Sequence, residues 1–510
     1  MSLEKMDPDV KGSDTESPQP AETDLIIDPG AEKRLLRKLD AFLAPMCVIF
    51  YLVAYLDRSN IGWYSLKPFL ERFKSNILTT MVAGNAAIAG MTEDLELTGN
   101  RLNVAVTLFY VTYISFELPS TLALKKVRPS RLIPFFIITW SAVIIGSAFV
   151  RNYAGLIATR LLLGVFESGL FPCLTLYLST FYKKEEQARR ISYLFVAAAL
   201  SGAFGGLLAY GLTSLHGAGG LAGWRWLFLI EGIISMVVGL VSLFVLPDNF
   251  EAAWWLREDE KVLMRIRQEQ TKVYLGESDV FDKAEVKLAF KDPKVWLSAG
   301  CQFGANICSF GFSTFLPVLI RGFGYDSVRT QLLTVPVYIW ASIVYICVSF
   351  MSDHFNRRAV FMVPMALVTA TGYSMMLGVP MTSTGVLYFA TFLTATGIYC
   401  VVGLNVTWVS NSNAGYFKRA AAIGLQQTIG NSAGILAGQI YRITASDGRY
   451  TIGHAVSLGG ILLAACGYST MWLCLRTINE RRDRMSVEEK TQEIDAGKKG
   501  DRHPDFRYIT

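Results

Sequence analysis

The strongest constraint on this chain is a series of apolar stretches, each long enough to cross a bilayer. A spanning helix needs about 20 predominantly apolar residues. On that criterion the sequence offers segments at 41–61, 102–124, 132–150, 154–178, 191–212 and 224–246, then at 295–320, 331–352, 359–379, 386–409, 420–441 and 451–475. Their hydrophobicity runs all round the helix rather than down one stripe, so they face lipid or one another and not water. Only 18% of the residues are charged, against roughly 25% in soluble domains. Those charges gather at the two ends and in 247–294, which contains Arg257-Glu258-Asp259-Glu260-Lys261. The expected fold is therefore an all-α polytopic membrane protein: twelve transmembrane helices in two six-helix halves, 41–246 and 295–475. A disordered tail (1–40), a hydrophilic central linker (247–294) and a polar C-terminal tail (476–510) complete the division. Two groups of six around a linker are the organisation of a two-halved carrier.

Loop charge gives the orientation independently. The loops after spans 2, 4, 8 and 10 hold Lys125, Lys126, Arg128, Arg131, Lys183, Lys184, Arg189, Arg190, Arg357, Arg358, Lys418 and Arg419. Those after spans 3, 5, 7, 9 and 11 hold only Arg151, Arg225, Arg321, Arg329, Arg442 and Arg449. Cations collect on the cytoplasmic side, so both termini and the linker are expected there. The same rule accounts for the net charge of +6, and no nucleic-acid partner is expected. The eight cysteines all fall in apolar stretches without a CxxC pair, which indicates neither a zinc site nor a disulfide framework. No secretory signal precedes the first span, which is expected to serve as its own signal. With no nucleophile–base motif, no phosphate loop, no metal-ligand cluster and only four His, the chain is not expected to be an enzyme, and no cofactor is implied.

Several motifs carry a family resemblance. Ser352-Asp353-His354-Phe355-Asn356-Arg357-Arg358, between spans 8 and 9, resembles the cytoplasmic loop signature of the major facilitator superfamily. The copy between spans 2 and 3, Lys125-Lys126-Val127-Arg128-Pro129-Ser130-Arg131, keeps the cations and lacks the Gly and Asp. Trp224-Arg225-Trp226-Leu227-Phe228-Leu229-Ile230-Glu231-Gly232 resembles a further superfamily signature. Leu56-Asp57-Arg58-Ser59-Asn60-Ile61-Gly62 and Phe116-Glu117-Leu118-Pro119-Ser120 resemble the anion:cation symporter family, especially its fungal allantoate and nicotinate permease branch. Within it, Gly311-Phe312-Ser313-Thr314-Phe315-Leu316-Pro317 and Leu332-Leu333-Thr334-Val335-Pro336 look most like nicotinate permeases. The likeness covers about residues 35–480. It implies the major facilitator fold, a plasma-membrane location and a proton gradient as the driving force.

One segment departs from this pattern. Trp63–Gly84 places Lys67, Arg72 and Lys74 on the face that should be poor in cations, with Leu66, Phe69, Leu70, Phe73, Ile77 and Leu78 at helical spacing. By itself it reads as an amphipathic helix on the outer leaflet. In similar proteins the motif ending at Gly62 runs directly into Asn-Ala-Ala-Ile-Ala-Gly-Met, which here resumes at Asn85. The segment is thus either a genuine insertion or a translated intron.

Charges inside spans cost about 2.5–3.5 kcal/mol each on insertion scales and so mark candidate functional positions. Here they are Asp57, Arg58, Glu117, Arg160, Glu167 and Glu231. Arg160 and Glu167 are two turns apart on one face of span 4, and Gly164 between them leaves room for a ligand or another helix. An Arg fork binds a carboxylate in a bidentate way, and a carboxyl in low dielectric takes up and releases protons near neutrality. The resemblance implies that Asp57 and Glu167 are protonation sites, that Arg58 and Arg160 contact or gate the anion, and that Gln302 contacts substrate. Each has a structural alternative. Asp57 and Arg58 sit near the membrane edge, Arg160 with Glu167 would serve as an interhelical ion pair, and Glu117 is placed to satisfy backbone freed by Pro119. Arg225 and Glu231 read first as packing residues. Asn306, Asn405, Asn431, Gln426 and Gln427 add polar amides to spans 7, 10 and 11, Asn431 being the further candidate substrate contact, and Tyr113 is placed to wall an aromatic ligand.

The expected function is proton-coupled uptake of a small organic anion, nicotinate or a similar carboxylate, by a monomer in the lipid bilayer. The alternatives are export of a secondary metabolite and a non-transporting nutrient receptor. Span 5, Ser201-Gly202-Ala203-Phe204-Gly205-Gly206, lacks the Gly-Pro pair of the drug antiporters, which speaks against export.

Overall fold

The computed structural model describes residues 27–59, 91–97, 101–213, 215–270, 282–322, 327–443 and 450–510. Trp63–Gly84 lies outside the described residues. Among them, twelve long helices follow one another: α1 (Pro29–Ser59), α2 (Arg101–Val127), α3 (Pro129–Ser147), α4 (Tyr153–Phe181, interrupted at Ser168-Gly169), α5 (Gln187–Thr213), α6 (Gly223–Val245), α7 (Pro293–Gly322), α8 (Ser327–His354), α9 (Ala359–Gly378), α10 (Thr384–Asn411), α11 (Tyr416–Ile443) and α12 (Thr451–Asp483). They coincide with the twelve apolar stretches. α1 starts earlier than hydropathy suggests. Asp28 caps it by accepting from the amides of Gly30 and Ala31 at 3.0 Å, and Leu35, Leu39 and Leu43 bury one face of its first turns, the spacing that keeps an amphipathic start on the protein.

Among the described residues, eight of these helices are long and apolar enough to cross a membrane by length and composition. α2 lies against α11, α5 against α8, and α7 against α10, α11 and α12.

The packing repeats with a shift of six helices. In the first half α1 packs on α5, α2 on α4, and α3 on α6; in the second, α7 packs on α11, α8 on α10, and α9 on α12. The main contacts between halves, α2 with α11 and α5 with α8, exchange under the same shift. Close approach is set by glycine. A Cβ on Gly164 would lie 2.0 Å from Thr112 Oγ1 and 2.4 Å from the Phe109 carbonyl oxygen. The room left by Gly164 is therefore filled by a helix, α2.

The start of α1, the described parts of the linker and the C-terminal tail meet on one face, here the linker face. The Arg190 guanidinium forks onto Asp40 with two 2.9 Å bonds. The first linker helix, Glu258–Gln270, joins α1 and the α4–α5 loop through Lys38–Glu260 (2.6 Å), Arg267–Glu32 and Arg267–Glu186 (2.7 Å). The second, Lys283–Lys291, packs on α11. The C-terminal tail, expected to carry nothing beyond charge, instead folds back onto the protein. It forms a helix at Val487–Asp495 and then buries Phe506, Tyr508 and Ile509. Three apolar side chains in a polar segment supply the hydrophobic reason for docking.

The pseudo-twofold has one informative break. At the start of α5 the amides of Ala188 and Arg189 donate to Asp353 at 3.3 and 2.8 Å. A carboxylate at the end of α8 thus caps a helix of the other half. The equivalent amides of α11, Phe417 and Lys418, donate to Glu285 of the second linker helix at 3.0 and 3.3 Å. Gly415 admits this approach, having φ +89° and no Cβ to meet the Glu285 carboxylate, which would stand 2.8 Å away. The α2–α3 loop, which lacks an acid, offers Lys125 to the Tyr416 ring at 4.8 Å instead.

Gly164→Ala is expected to lower stability by about 1–3 kcal/mol, the usual cost of overpacking. Gly146→Ala, where nothing lies within 4 Å of the added methyl, should be neutral or mildly stabilising. Thermal unfolding of the purified variants in detergent reads both.

Candidate functional site

The charges expected inside the spans converge in the first half. Asp57, near the end of α1, is buried and accepts two hydrogen bonds on Oδ2, from Trp140 Nε1 of α3 at 3.2 Å and from Ser235 Oγ of α6 at 3.0 Å. Arg160 and Glu167 on α4 are buried as well, Arg160 at 6% exposure and Glu167 at 4%. Asp57 lies within electrostatic reach of Glu167 and of Glu231 on α6, and Arg160 within reach of Glu167 and Asp57. Two carboxyls thus stand within electrostatic reach of one guanidinium, and a third, Glu231, within reach of Asp57.

Arg160 makes no ion pair within 4 Å among the described residues. Its Nε and Nη2 are buried with no hydrogen-bond acceptor, and its guanidinium carbon stands 5.9 Å from the centre of the Phe228 ring. A structural interhelical bridge would have satisfied those nitrogens. Buried donors left over in this way are rare and call for an explanation. Two N–H groups presented from one planar group match the geometry of a carboxylate. The side chain of Arg58 lies outside the described residues.

The polar amides converge in the second half and form a chain. Gln426 Nε2 on α11 donates to Ser298 Oγ of α7 at 2.8 Å, and Ser298 Oγ donates to Asn405 Oδ1 of α10 at 2.8 Å. Asn405 Nδ2 donates to Gln302 Oε1 at 2.7 Å. Longer contacts of 3.5 and 3.4 Å lead from Gln302 Nε2 to Asn306 Oδ1, and from Asn306 Nδ2 to Asn431 Oδ1 on α11. Asn431 Nδ2 finally donates to Glu117 Oε1 on α2 at 2.8 Å. The chain therefore ends on a carboxyl of the other half, and it contains both Gln302 and Asn431.

That contact revises the reading of Glu117. It is fully buried, and its carboxyl is engaged across the interface by Asn431, while its backbone carbonyl accepts from Thr121 Oγ1 at 2.8 Å. Glu231 likewise joins the Asp57 group, whereas its neighbour Arg225 caps the Ala148 carbonyl at 2.8 Å and is structural. Neither assignment followed from the sequence, although both residues were already marked as charges within spans.

Tyr113 is buried on α2 with its ring 5.6 Å from that of Phe109, and its backbone lies beside Gly164, between Arg160 and Glu167. Tyr110 turns the other way, edge-on to Phe310 of α7 at 6.0 Å. A row of rings not foreseen from the sequence crosses between halves: Tyr51 to Phe171 at 5.3 Å, Phe171 to Phe195 at 5.6 Å, and Phe195 to Tyr345 at 5.8 Å. Tyr51 is six residues before Asp57, about 9 Å along the helix, so the row lies on the linker-face side of the carboxyl group. Among the described residues, no group of three His, Cys, Asp or Glu side chains is arranged to hold a metal ion.

Comparison with known proteins adds an independent line. A family model described as Major Facilitator Superfamily matches residues 75–438. The chain is 44% identical over 501 residues to an uncharacterized transporter of Schizosaccharomyces pombe, covering 98% of this chain and 93% of the relative. It is 32% identical over 483 residues to the high-affinity nicotinic acid transporter of Saccharomyces cerevisiae, covering 94% and 85%. It is also 32% identical over 501 residues to an MFS-type transporter of Penicillium expansum, covering 95% and 92%.

Replacing Glu117 separates its two contributions. Glu117→Leu removes the acceptor for Asn431 and should cost about 0.6–1.7 kcal/mol, the range found for hydrogen bonds between membrane helices. Glu117→Gln keeps an acceptor oxygen and should unfold close to wild type. Equal melting temperatures for the two variants would show that the Asn431 contact contributes nothing.

Proposed function

The chain belongs to the Major Facilitator Superfamily, a family of membrane transporters, and from that premise we propose that it takes up a small organic anion together with one or more protons. The observation that carries the proposal is Arg160: a buried fork with two donors unanswered by protein, within electrostatic reach of Asp57 and Glu167. The fork selects a carboxylate by charge and by bidentate shape. The carboxyls take up the accompanying proton, so that the negative charge brought in by the substrate is offset within the same cluster. The amides of Gln302 and Asn431 add neutral donors from the second half, Asn431 reaching Glu117 across the interface. Substrate and proton then cross as the two halves rock around the site.

A pyridine carboxylate suits this environment, because the centre of the Phe228 ring stands 5.9 Å from the guanidinium carbon and Tyr113 adds a second aromatic residue on α2 beside Gly164. The likeness to the nicotinic acid transporter supports nicotinate as the first candidate. As proposed, the carrier is driven by the proton gradient without a cofactor and works as a monomer in the plasma membrane, with the linker face and both termini in the cytoplasm.

The decisive assay is uptake of labelled nicotinate by transport-deficient yeast expressing the chain, with and without Trp63–Gly84, at acidic and neutral external pH. Saturable uptake that rises in acid and collapses with an uncoupler is the expected result. No uptake by either form would remove nicotinate and direct the search to other carboxylates. Arg160→Lys should raise the apparent KM about tenfold or more, because the second hydrogen bond is lost while the charge remains. Glu167→Gln should abolish proton-driven accumulation and leave downhill exchange. Normal acid-stimulated accumulation by that variant would exclude Glu167 from coupling.

A further inference from the structure

We propose that residues 500–510 are a working part of the gate on the linker face: they build half of a socket that holds Lys184 and thereby help keep the two halves closed there. Lys184 lies in the α4–α5 loop of the first half. Its backbone carbonyl accepts from Arg358 Nη2 at 3.2 Å and from Asn411 Nδ2 at 2.8 Å, both of the second half. Its ammonium donates to the Arg507 carbonyl at 2.9 Å and sits 5.0 Å over the Phe506 ring. The helices thus grip the backbone of Lys184, and the C-terminal segment grips its charge.

The segment is fixed to the second half alone, which makes its contact with Lys184 a contact between halves. Asp501 is clamped between Lys294 Nζ at 2.8 Å and Lys418 Nζ at 2.6 Å. Arg482 of α12 donates to the carbonyls of Phe506 and Asp501 at 2.7 and 2.8 Å. Trp408 Nε1 of α10 donates to the Ile509 carbonyl at 2.7 Å, and the Arg358 amide to the Thr510 carbonyl at 2.8 Å. Burial alone would raise Asp501, but Lys294 and Lys418 outweigh it and hold the carboxyl at about 2. A carboxyl depressed in the docked state stabilises docking at any pH above its ordinary value, about 3.9, and gives that up only as pH falls towards 2. The clamp is therefore charged throughout the physiological range. Opening the linker face must withdraw Lys184 from a carbonyl and an aromatic face that only the docked segment provides.

The consequence for transport rests on the alternating-access reading above; the gate itself does not. The test is a distance measurement on the full chain, with spin labels at Lys126→Cys in the first half and Arg357→Cys in the second, after replacing the exposed Cys347, Cys466 and Cys474 by Ser. Deleting 500–510 should move the distance distribution towards longer separations. Phe506→Ala should move it in the same direction by a smaller amount. Lys184→Ala should mimic the deletion, and combining the two should add little, because both empty one socket. An unchanged distribution in the folded deletion variant would overturn the proposal, as would full additivity of the two changes. If the deletion variant does not fold, Phe506→Ala and Lys184→Ala, alone and combined, decide by the same criteria. A wild-type chain that carries no carboxylate but shows these shifts would retire the transport reading and leave the gate standing.

Discussion

Hydrocarbon provides no hydrogen bonds, and the architecture of this protein follows from that single lack. Backbone groups within a span must be satisfied inside the span, which makes every crossing a helix. Side-chain polarity then has to be satisfied by other helices. Asp57 is met by Trp140 and Ser235 from two neighbouring helices, and the amides from Gln426 to Asn431 are met mostly by one another. Glycines such as Gly164 bring backbones close enough for those contacts to form. Against this background Arg160 is conspicuous as a buried cation whose nitrogens the surrounding helices do not fully answer.

The two halves obey the same packing rules but close the linker face with different parts. Asp353, held by Arg358 at 2.6 Å, comes from the end of a span, α8. Glu285, which takes the equivalent helix start, comes from the linker. The symmetric role survives while its donor has moved in sequence. What selection by stability requires is a carboxylate at the amides of a buried helix start, whichever segment delivers it.

The spans were legible because twenty-residue apolar runs have few other uses, and all twelve helices fall on them. The shared face of Arg160 and Glu167 was legible too, since seven residues make two turns. What hydropathy does not encode is the rotation of each helix about its axis or the identity of its neighbour. Glu231 was therefore visible as a charge but not as a member of the Asp57 group, and Glu117 was visible without its partner Asn431, which is 314 residues away. The C-terminal segment was missed for a different reason. The partners of the segment, Lys294, Lys418 and Trp408, are scattered over the second half, and Phe506, Tyr508 and Ile509 are too few to produce a periodic signal. Their concentration within four residues of an otherwise polar tail was the one available hint.

The linker also has a bearing on how the protein is put together as a polypeptide. Beyond the linker itself, its first helix forms described ion pairs with α1 and the α4–α5 loop, and its second forms described hydrogen bonds with α11 and, through the Phe290 carbonyl, with Trp296 of α7. Each half thus carries its own share of the connection. Two separately translated chains divided between these two helices would each keep the linker helix that packs on its own half, together with the α2–α11 and α5–α8 surfaces by which the halves meet.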